Sequence, residues 1–110
     1  MSQAIETIVL HNACNLLNAA FCWTSKAWAR DENGVPCRPL SRRARQWCAW
    51  SAIYKCAFDL VGQKQAAREI ADRISKELVP CMGGIISVNE REGYEGVIAI
   101  LSRGISFRPA

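Results

Sequence analysis

Histidine is nearly absent from this chain of 110 residues, where it occurs only as His11. Acid–base and nucleophilic sites usually combine a histidine or paired carboxylates with a nucleophile, and His11 stands among asparagines with no nucleophile motif nearby. The Gly83-Gly84 pair lacks the lysine and hydroxyl residue of a phosphate-binding loop, and no Gly-x-Gly-x-x-Gly motif occurs. The sequence therefore predicts a protein that is not an enzyme and that needs no cofactor.

Long apolar runs are also missing. The longest weakly charged stretch, residues 47–60, contains Lys55 and Asp59 and falls short of the roughly 20 apolar residues that span a bilayer. The first residues are polar, whereas a secretory signal has a basic start followed by an apolar stretch. We therefore expect a soluble, cytoplasmic protein with no membrane partner.

Cysteine is abundant, with six residues, but no two cysteines have the spacing of two to four residues that structural zinc sites use. In a reducing cytosol an even count does not imply disulfides. The closest combination, His11 and Cys14 on one helix face, leaves open a metal role that a distant cysteine would have to complete. We favour free cysteines that pack as small apolar side chains, with Cys48 and Cys56 in the core and no metal site.

The first half of the chain mixes helical periodicity with turn signals. Apolar residues recur with helical spacing over residues 5–20 and predict an amphipathic helix. A second, short helix is predicted over residues 24–30, followed by a turn at Asn33-Gly34 and a proline-containing loop over residues 35–40.

The middle of the chain predicts two longer helices. Ser41 is the predicted N-cap of an apolar helix that runs to Val61 and stops at Gly62. Because it is apolar on nearly every side, we expect this helix to be central, with the tryptophans in the core and at most one of them partly exposed. Residues 63–78 give the clearest amphipathic pattern, with opposite charges four residues apart, and end before Pro80.

The last third predicts a short strand over residues 85–88 and a final helix over residues 94–102. The predicted fold class is therefore mainly α. We expect one compact domain over residues 1–110, with four to five helices around a central apolar helix and at most one short strand.

Positive charge is concentrated over residues 26–45, where six cations and two acids equal the whole net charge of +4. Cations at a helix start oppose the helix dipole by about 0.3–1 kcal/mol each, so helix stability does not explain them. Guanidinium groups bind carboxylates and phosphates, although a solvated face paired with nearby acids is an equally weighted alternative. The predicted partner-binding residues are Arg30, Arg38, Arg42, Arg43 and Arg45.

Two function classes would use this basic stretch. The first is a small non-enzymatic interaction module that binds an acidic protein surface and occludes it, as phage or mobile-element inhibitors of host defence such as anti-CRISPR proteins do. This first class rests on analogy of size and plainness. The alternative is a nucleic-acid-binding or regulatory module, whose affinity would fall steeply with salt.

Several motifs resemble those of the bacterial and phage domain-of-unknown-function family 6197. They are an aromatic-Ala-Arg-Asp-x-x-Gly element over residues 28–34 and a Trp-Cys-Ala element over residues 47–49, with Ser51 where glycine is usual. Residues 88–90 are similar to the family's closing Trp-Asn-Asp segment, with valine and glutamate substituted. The resemblance, over about residues 16–105, implies one helical domain whose Asp-x-x-Gly turn binds its own backbone. It implies no reaction.

Overall fold

The computed structural model describes the backbone of residues 2–106 and the side chains of residues 5–106. Its elements are α1 (Ser2–Leu16), a 3-10 turn (Ala20–Cys22), β1 (Ala29–Arg30), β2 (Pro36–Cys37), β3 (Gln46–Trp47), α2 (Ala49–Val61), α3 (Lys64–Leu78) and α4 (Gly84–Ser106). The mainly helical fold class is confirmed. The described part of the chain has three short strands where at most one was expected.

The predicted central helix is α2, which packs against α1, α3 and α4. Alanines at positions 49, 52 and 57 are fully buried and let the neighbouring helices approach closely. The helix ends as predicted at Gly62, whose φ of 72° is left-handed and whose N–H donates to the Phe58 carbonyl. These features place most of the apolar core around one helix.

The start of α2 differs from the prediction. The helix begins at Ala49, and Ser41 instead lies in a turn where its hydroxyl accepts the N–H of Arg43. The reason is tertiary, because β3 pairs antiparallel with β1 and aligns Trp47 with Ala29. Residues 46–47 are therefore extended, and Ser41 is not the N-cap of this helix.

The short helix predicted over residues 24–30 is also wrong, since these residues form a loop that leads into β1. β1 is the middle strand of the order β2-β1-β3, and its antiparallel pairing with β2 forms a hairpin. In the hairpin turn, Asp31 Oδ1 accepts the N–H groups of Asn33 and Val35, and Gly34 has a φ of 80°. The predicted self-bonding Asp-x-x-Gly turn is confirmed.

The two ends of the helical frame need smaller corrections. α1 ends at Leu16 rather than near residue 20. The strand predicted over residues 85–88 is helical and belongs to α4, because Ile85 and Val88 are three residues apart and both point into the core. α4 contains a kink at Gly93, with φ of 74°, and the helix predicted over residues 94–102 follows that kink.

α3 confirms the predicted amphipathic helix. Its buried face consists of Ala67, Ile70, Ala71, Ile74 and Ser75. Outside this buried face, Arg73 forms an ion pair with the buried Glu6 of α1. This bridge joins the first and third helices.

Candidate functional site

A buried asparagine connects three distant parts of the chain. Asn89 on α4 is 1% exposed, and its Oδ1 accepts the Trp23 indole N–H at 2.7 Å and the Ala49 N–H at 2.8 Å. Its Nδ2 donates to the Thr24 carbonyl at 3.2 Å and to a Glu90 oxygen at 2.9 Å. Since Ala49 is the first residue of α2, Asn89 caps that helix from α4.

Glu90 holds the loop over residues 24–28 from the same helix. Its two carboxylate oxygens accept the backbone N–H of Lys26 at 3.2 Å and 3.1 Å. Lys26 has a φ of 60°, a left-handed conformation that costs a non-glycine residue roughly 1–2 kcal/mol. The bond to Glu90 therefore fixes the loop at its strained residue.

Arg30, a predicted partner-binding residue, also binds this loop. Its guanidinium donates to Thr24 Oγ1 at 2.8 Å, to the Ser25 carbonyl at 3.2 Å and to the Gly34 carbonyl at 3.0 Å. Three of its donors are thus bound, two by the loop before β1 and one by the hairpin turn. The structure places Arg30 in the loop framework rather than on an open binding face.

The loop over residues 24–28 ends in Trp28, which is exposed to solvent. The Trp28 side chain is 51% exposed, and its ring centroid lies 5.5 Å from that of Trp50 at an interplanar angle of 60°. Trp50 stacks on Tyr54 at 5.1 Å and donates its indole N–H to Asp72 at 2.9 Å. The tryptophans were predicted to lie in the core with at most one partly exposed; Trp47 is buried, Trp23 and Trp50 are partly buried against the core, and Trp28 is half-exposed.

These rings line an open cleft of about 510 Å³ between the loop, α2 and α3. Pro39 and Leu40 add apolar surface, and three cations surround it: Arg38, Lys64 and Arg68. Within residues 5–106, no hydrogen bond or ion pair occupies the charged groups of these three side chains. The cleft combines exposed aromatic surface with unpaired positive charge.

Two further clefts adjoin this one. A cleft of about 730 Å³ shares Trp50 and Asp72 with it, and one of about 350 Å³ shares Trp28. Ile86 lines both of these further clefts, and Met82, at 96% exposure, lines the larger. We call this combined area the Trp28 surface, comprising Trp28, Arg38, Trp50, Lys64, Arg68, Asp72, Met82 and Ile86.

The remaining predicted arginines lie in a different place. Arg42, Arg43 and Arg45 line a groove of about 270 Å³ together with Asp31 and Glu32. The Arg45 guanidinium also donates to the carbonyls of residues 42 and 44. The five predicted arginines therefore do not form one patch, because only Arg38 lies on the Trp28 surface.

All six cysteines are free thiols. Burial raises the pKa of Cys56 to about 12 and raises the pKa of Cys48 and of Cys14, where a hydrogen bond with Ser102 acts in the opposite direction. His11 is exposed on α1. Among the described residues, no group of three or more His, Cys, Asp or Glu side chains is placed to hold a metal ion.

None of the helices in the described part of the chain has the length and apolar character needed to cross a membrane.

The three motifs noted in the sequence meet in space, since Ala29 pairs with Trp47 in the sheet and Asn89 accepts the N–H of Ala49. The profile of the family of unknown function DUF6197 matches residues 1–107. The chain belongs to the DUF6197 family. In this DUF6197 domain the substituted positions of the last motif retain structural roles, because Val88 is buried and Glu90 binds the loop. No curated protein and no solved structure is similar enough to match the chain.

The sequence did not reveal the Asn89 network, because three of the four partners of Asn89 lie 40 to 66 residues away along the chain. The sequence allowed one partly exposed tryptophan but did not identify it as Trp28, because tryptophan is favoured in a core. One sequence signal pointed to it, because Trp28 directly precedes the Ala-Arg-Asp-x-x-Gly turn of the family motif.

Proposed function

We propose that this DUF6197 domain is a non-enzymatic protein-interaction module that binds an acidic protein partner through the Trp28 surface and acts by covering the partner's surface. The observation that carries the proposal is the half-exposed Trp28, held by a loop that Asn89, Glu90 and Arg30 fix in place. A fixed, exposed tryptophan loses little conformational freedom on binding. Tryptophan and arginine are also the side chains that most often dominate binding energy at interfaces.

The composition of the Trp28 surface supports a protein partner. It adds the exposed Met82 and Ile86 to the aromatic cleft, and aromatic residues, methionine and arginine are enriched at protein interfaces. Contiguous exposed apolar area is uncommon on proteins that bind nothing. The surrounding cations favour an acidic partner.

The biological role that we propose is inhibition of a host defence system by a phage or mobile element, in the manner of anti-CRISPR proteins. Such an inhibitor needs a rigid binding surface and no catalytic group. The domain offers the first through Trp28, and its sequence has no nucleophile motif around its one histidine. This role rests on analogy of size and mode of action.

Site-specific photo-crosslinking tests the proposal. A photoreactive amino acid at position 82, on the Trp28 surface, is compared with the same group at position 11, which is exposed on α1 and outside the three clefts. We expect a host protein to be captured from position 82 and not from position 11. The captured host protein, once purified, should bind the wild-type chain. It should bind the Trp28→Ala variant at least about tenfold more weakly.

Two results would contradict the proposal. One is capture from position 11 alone, or equally from both positions. The other is a captured protein whose affinity is unchanged by Trp28→Ala. A Gln65→Ala variant, on the exposed face of α3 and outside the three clefts, serves as the matched control.

A further inference from the structure

The cations that line the cleft of about 510 Å³ come from two separate elements. Arg38 comes from the loop after β2, whereas Lys64 and Arg68 come from α3. Lys64 and Arg68 are four residues apart on one helix, so their side chains lie on the same face about 5–6 Å apart at Cβ. An acidic ligand in the cleft would therefore meet cations from the loop and from the helix.

The start of α3 adds to this positive potential. The first turn of the helix has no acidic residue, and its N-cap, Gln63, makes no side-chain capping hydrogen bond. The positive end of the helix dipole is therefore not offset locally. Lys64, the first residue of α3, adds a full charge where helix stability alone would favour an acid.

The acid within the cleft does not cancel these charges. Asp72 accepts the Trp50 indole N–H at 2.9 Å, and with one carboxylate against three cations the lining carries a formal charge of +2. The same lining contains Trp28 and Leu40, which add aromatic and aliphatic surface. The cleft thus combines apolar surface with a net positive lining.

Building on the proposed function, we infer that the cleft recognises an acidic linear segment of the partner protein, in which one aromatic side chain is flanked by carboxylates. The aromatic side chain packs against the exposed face of Trp28. Carboxylates on one side of it pair with Arg38, and those on the other side pair with Lys64 and Arg68.

Single-stranded nucleic acid is the competing occupant, because bases stack on tryptophan and phosphates bind cations. The observations favour the peptide. Stacking grooves combine aromatic rings with a continuous basic track, whereas the two neighbouring clefts place Lys26 and Lys76 among the apolar Met82 and Ile86 and the acid Glu90. Phosphates gain nothing from these apolar side chains.

Synthetic peptides test the inference on the full chain. The probe is a capped pentapeptide with phenylalanine between two pairs of glutamates, and binding is followed by tryptophan fluorescence and by the indole N–H signals in NMR. Control probes replace phenylalanine with alanine or the glutamates with lysines, and a five-nucleotide oligothymidine represents nucleic acid. We expect millimolar or tighter binding of the probe, at least about fivefold weaker binding of the alanine peptide, and none of the lysine peptide.

Variants then assign the contacts. Trp28→Ala, Arg38→Gln and the Lys64→Gln/Arg68→Gln pair should each weaken probe binding at least about fivefold. Because the three cations are exposed and have no partner among residues 5–106, their variants should fold normally. Arg91→Gln, exposed on α4 and outside the cleft, should leave binding unchanged.

Tighter binding of oligothymidine than of the peptide would overturn the inference in favour of nucleic acid. Absence of peptide binding, or binding insensitive to Trp28→Ala and to the cation variants, would also overturn it. If either of the last two results occurs while the cross-linked partner still depends on Trp28, the acidic-segment inference fails and the proposed function stands. If the partner also ignores Trp28→Ala, both fail.

Discussion

The indole N–H of Trp23 donates to Oδ1 of Asn89 at 2.7 Å, across 66 residues of sequence. The same oxygen accepts the N–H of Ala49 at the start of α2. The Asn89 side chain on α4 therefore fixes both the start of the loop over residues 24–28 and the first turn of the central helix. Binding at Trp28 depends on this packing, because a mobile tryptophan would lose more entropy when a partner docks.

Replacing Asn89 should destabilise the fold strongly. Asn89→Ala leaves the N–H groups of Trp23 and Ala49 without their acceptor, and each unsatisfied buried group costs about 1–3 kcal/mol. We expect the free energy of unfolding, measured in urea, to fall by about 2–4 kcal/mol. The exposed Asn12 on α1 is the control, and Asn12→Ala should change stability by less than about 0.5 kcal/mol. Equal effects of the two variants would contradict the role of Asn89.

Two glycines with left-handed φ should respond differently to alanine. At Gly62, φ is 72° and a Cβ would meet open space, so Gly62→Ala should cost about 1 kcal/mol from backbone strain alone. At Gly84, φ is 53° and a Cβ would collide with the Ser75 hydroxyl, which accepts the N–H of Ile85. Gly84→Ala should therefore cost at least about 2 kcal/mol in thermal or urea unfolding. A smaller loss of stability for Gly84→Ala than for Gly62→Ala would contradict the close contact between Gly84 of α4 and Ser75 of α3.

The strained Lys26 offers a substitution that should stabilise the protein. Lys26→Gly keeps the backbone N–H that Glu90 accepts and removes the cost of a left-handed side-chain-bearing residue. We expect a gain of up to about 1 kcal/mol, after the loss of chain entropy that glycine brings. Lys26→Val, whose branched Cβ tolerates this conformation least, should instead destabilise by at least about 1 kcal/mol. The opposite order in chemical denaturation would rule out a positive φ at this position.

Burial of Cys56 should make stability fall in alkali. Its pKa of about 12 in the folded chain lies above the ordinary value of 9.0, so the unfolded chain loses the thiol proton first as pH rises. The stabilisation is complete below pH 9 and is lost between pH 9 and about 12, with a slope of up to about 1.4 kcal/mol per pH unit. Cys56→Ala should reduce this slope, whereas Cys81→Ala, at an exposed thiol, should leave it unchanged. Identical slopes in all three proteins would contradict a buried, protonated Cys56.

The elements set by neighbouring residues could be predicted from the sequence, whereas those set by pairing with distant residues could not. The end of α2 at Gly62 and the turn at Asp31 follow from residues beside them in sequence, and both are confirmed. The start of α2 was misplaced because residues 46–47 pair with a strand 17 residues earlier. Residues 85–88 have strand-like side chains, but burial of Ile85 and Val88 on one helix face overrides that preference.

The candidate site was only partly accessible from the sequence. The concentration of arginines drew attention to residues 26–45, but chain proximity did not reveal that Arg38 and Trp28 line one cleft while Arg42 and Arg43 line another with Asp31. Arg30 is used internally for a reason invisible in sequence, because its acceptors are loop carbonyls and a hydroxyl brought together by the hairpin. Which of the five arginines contact a partner stays a prediction, because charge counts do not show which side chains share a cleft.

The most direct test of the Trp28 surface is the affinity of the partner captured from position 82, measured by calorimetry for three chains. They are the wild type, Trp28→Ala, and Arg42→Glu/Arg43→Glu, which alters the separate acid-lined groove. If the partner binds at the Trp28 surface, its affinity should fall at least about tenfold for Trp28→Ala and should change by less than about twofold for the double arginine variant. Unchanged affinity of Trp28→Ala, with a large loss in the arginine variant, would contradict it and place the binding site on the other groove.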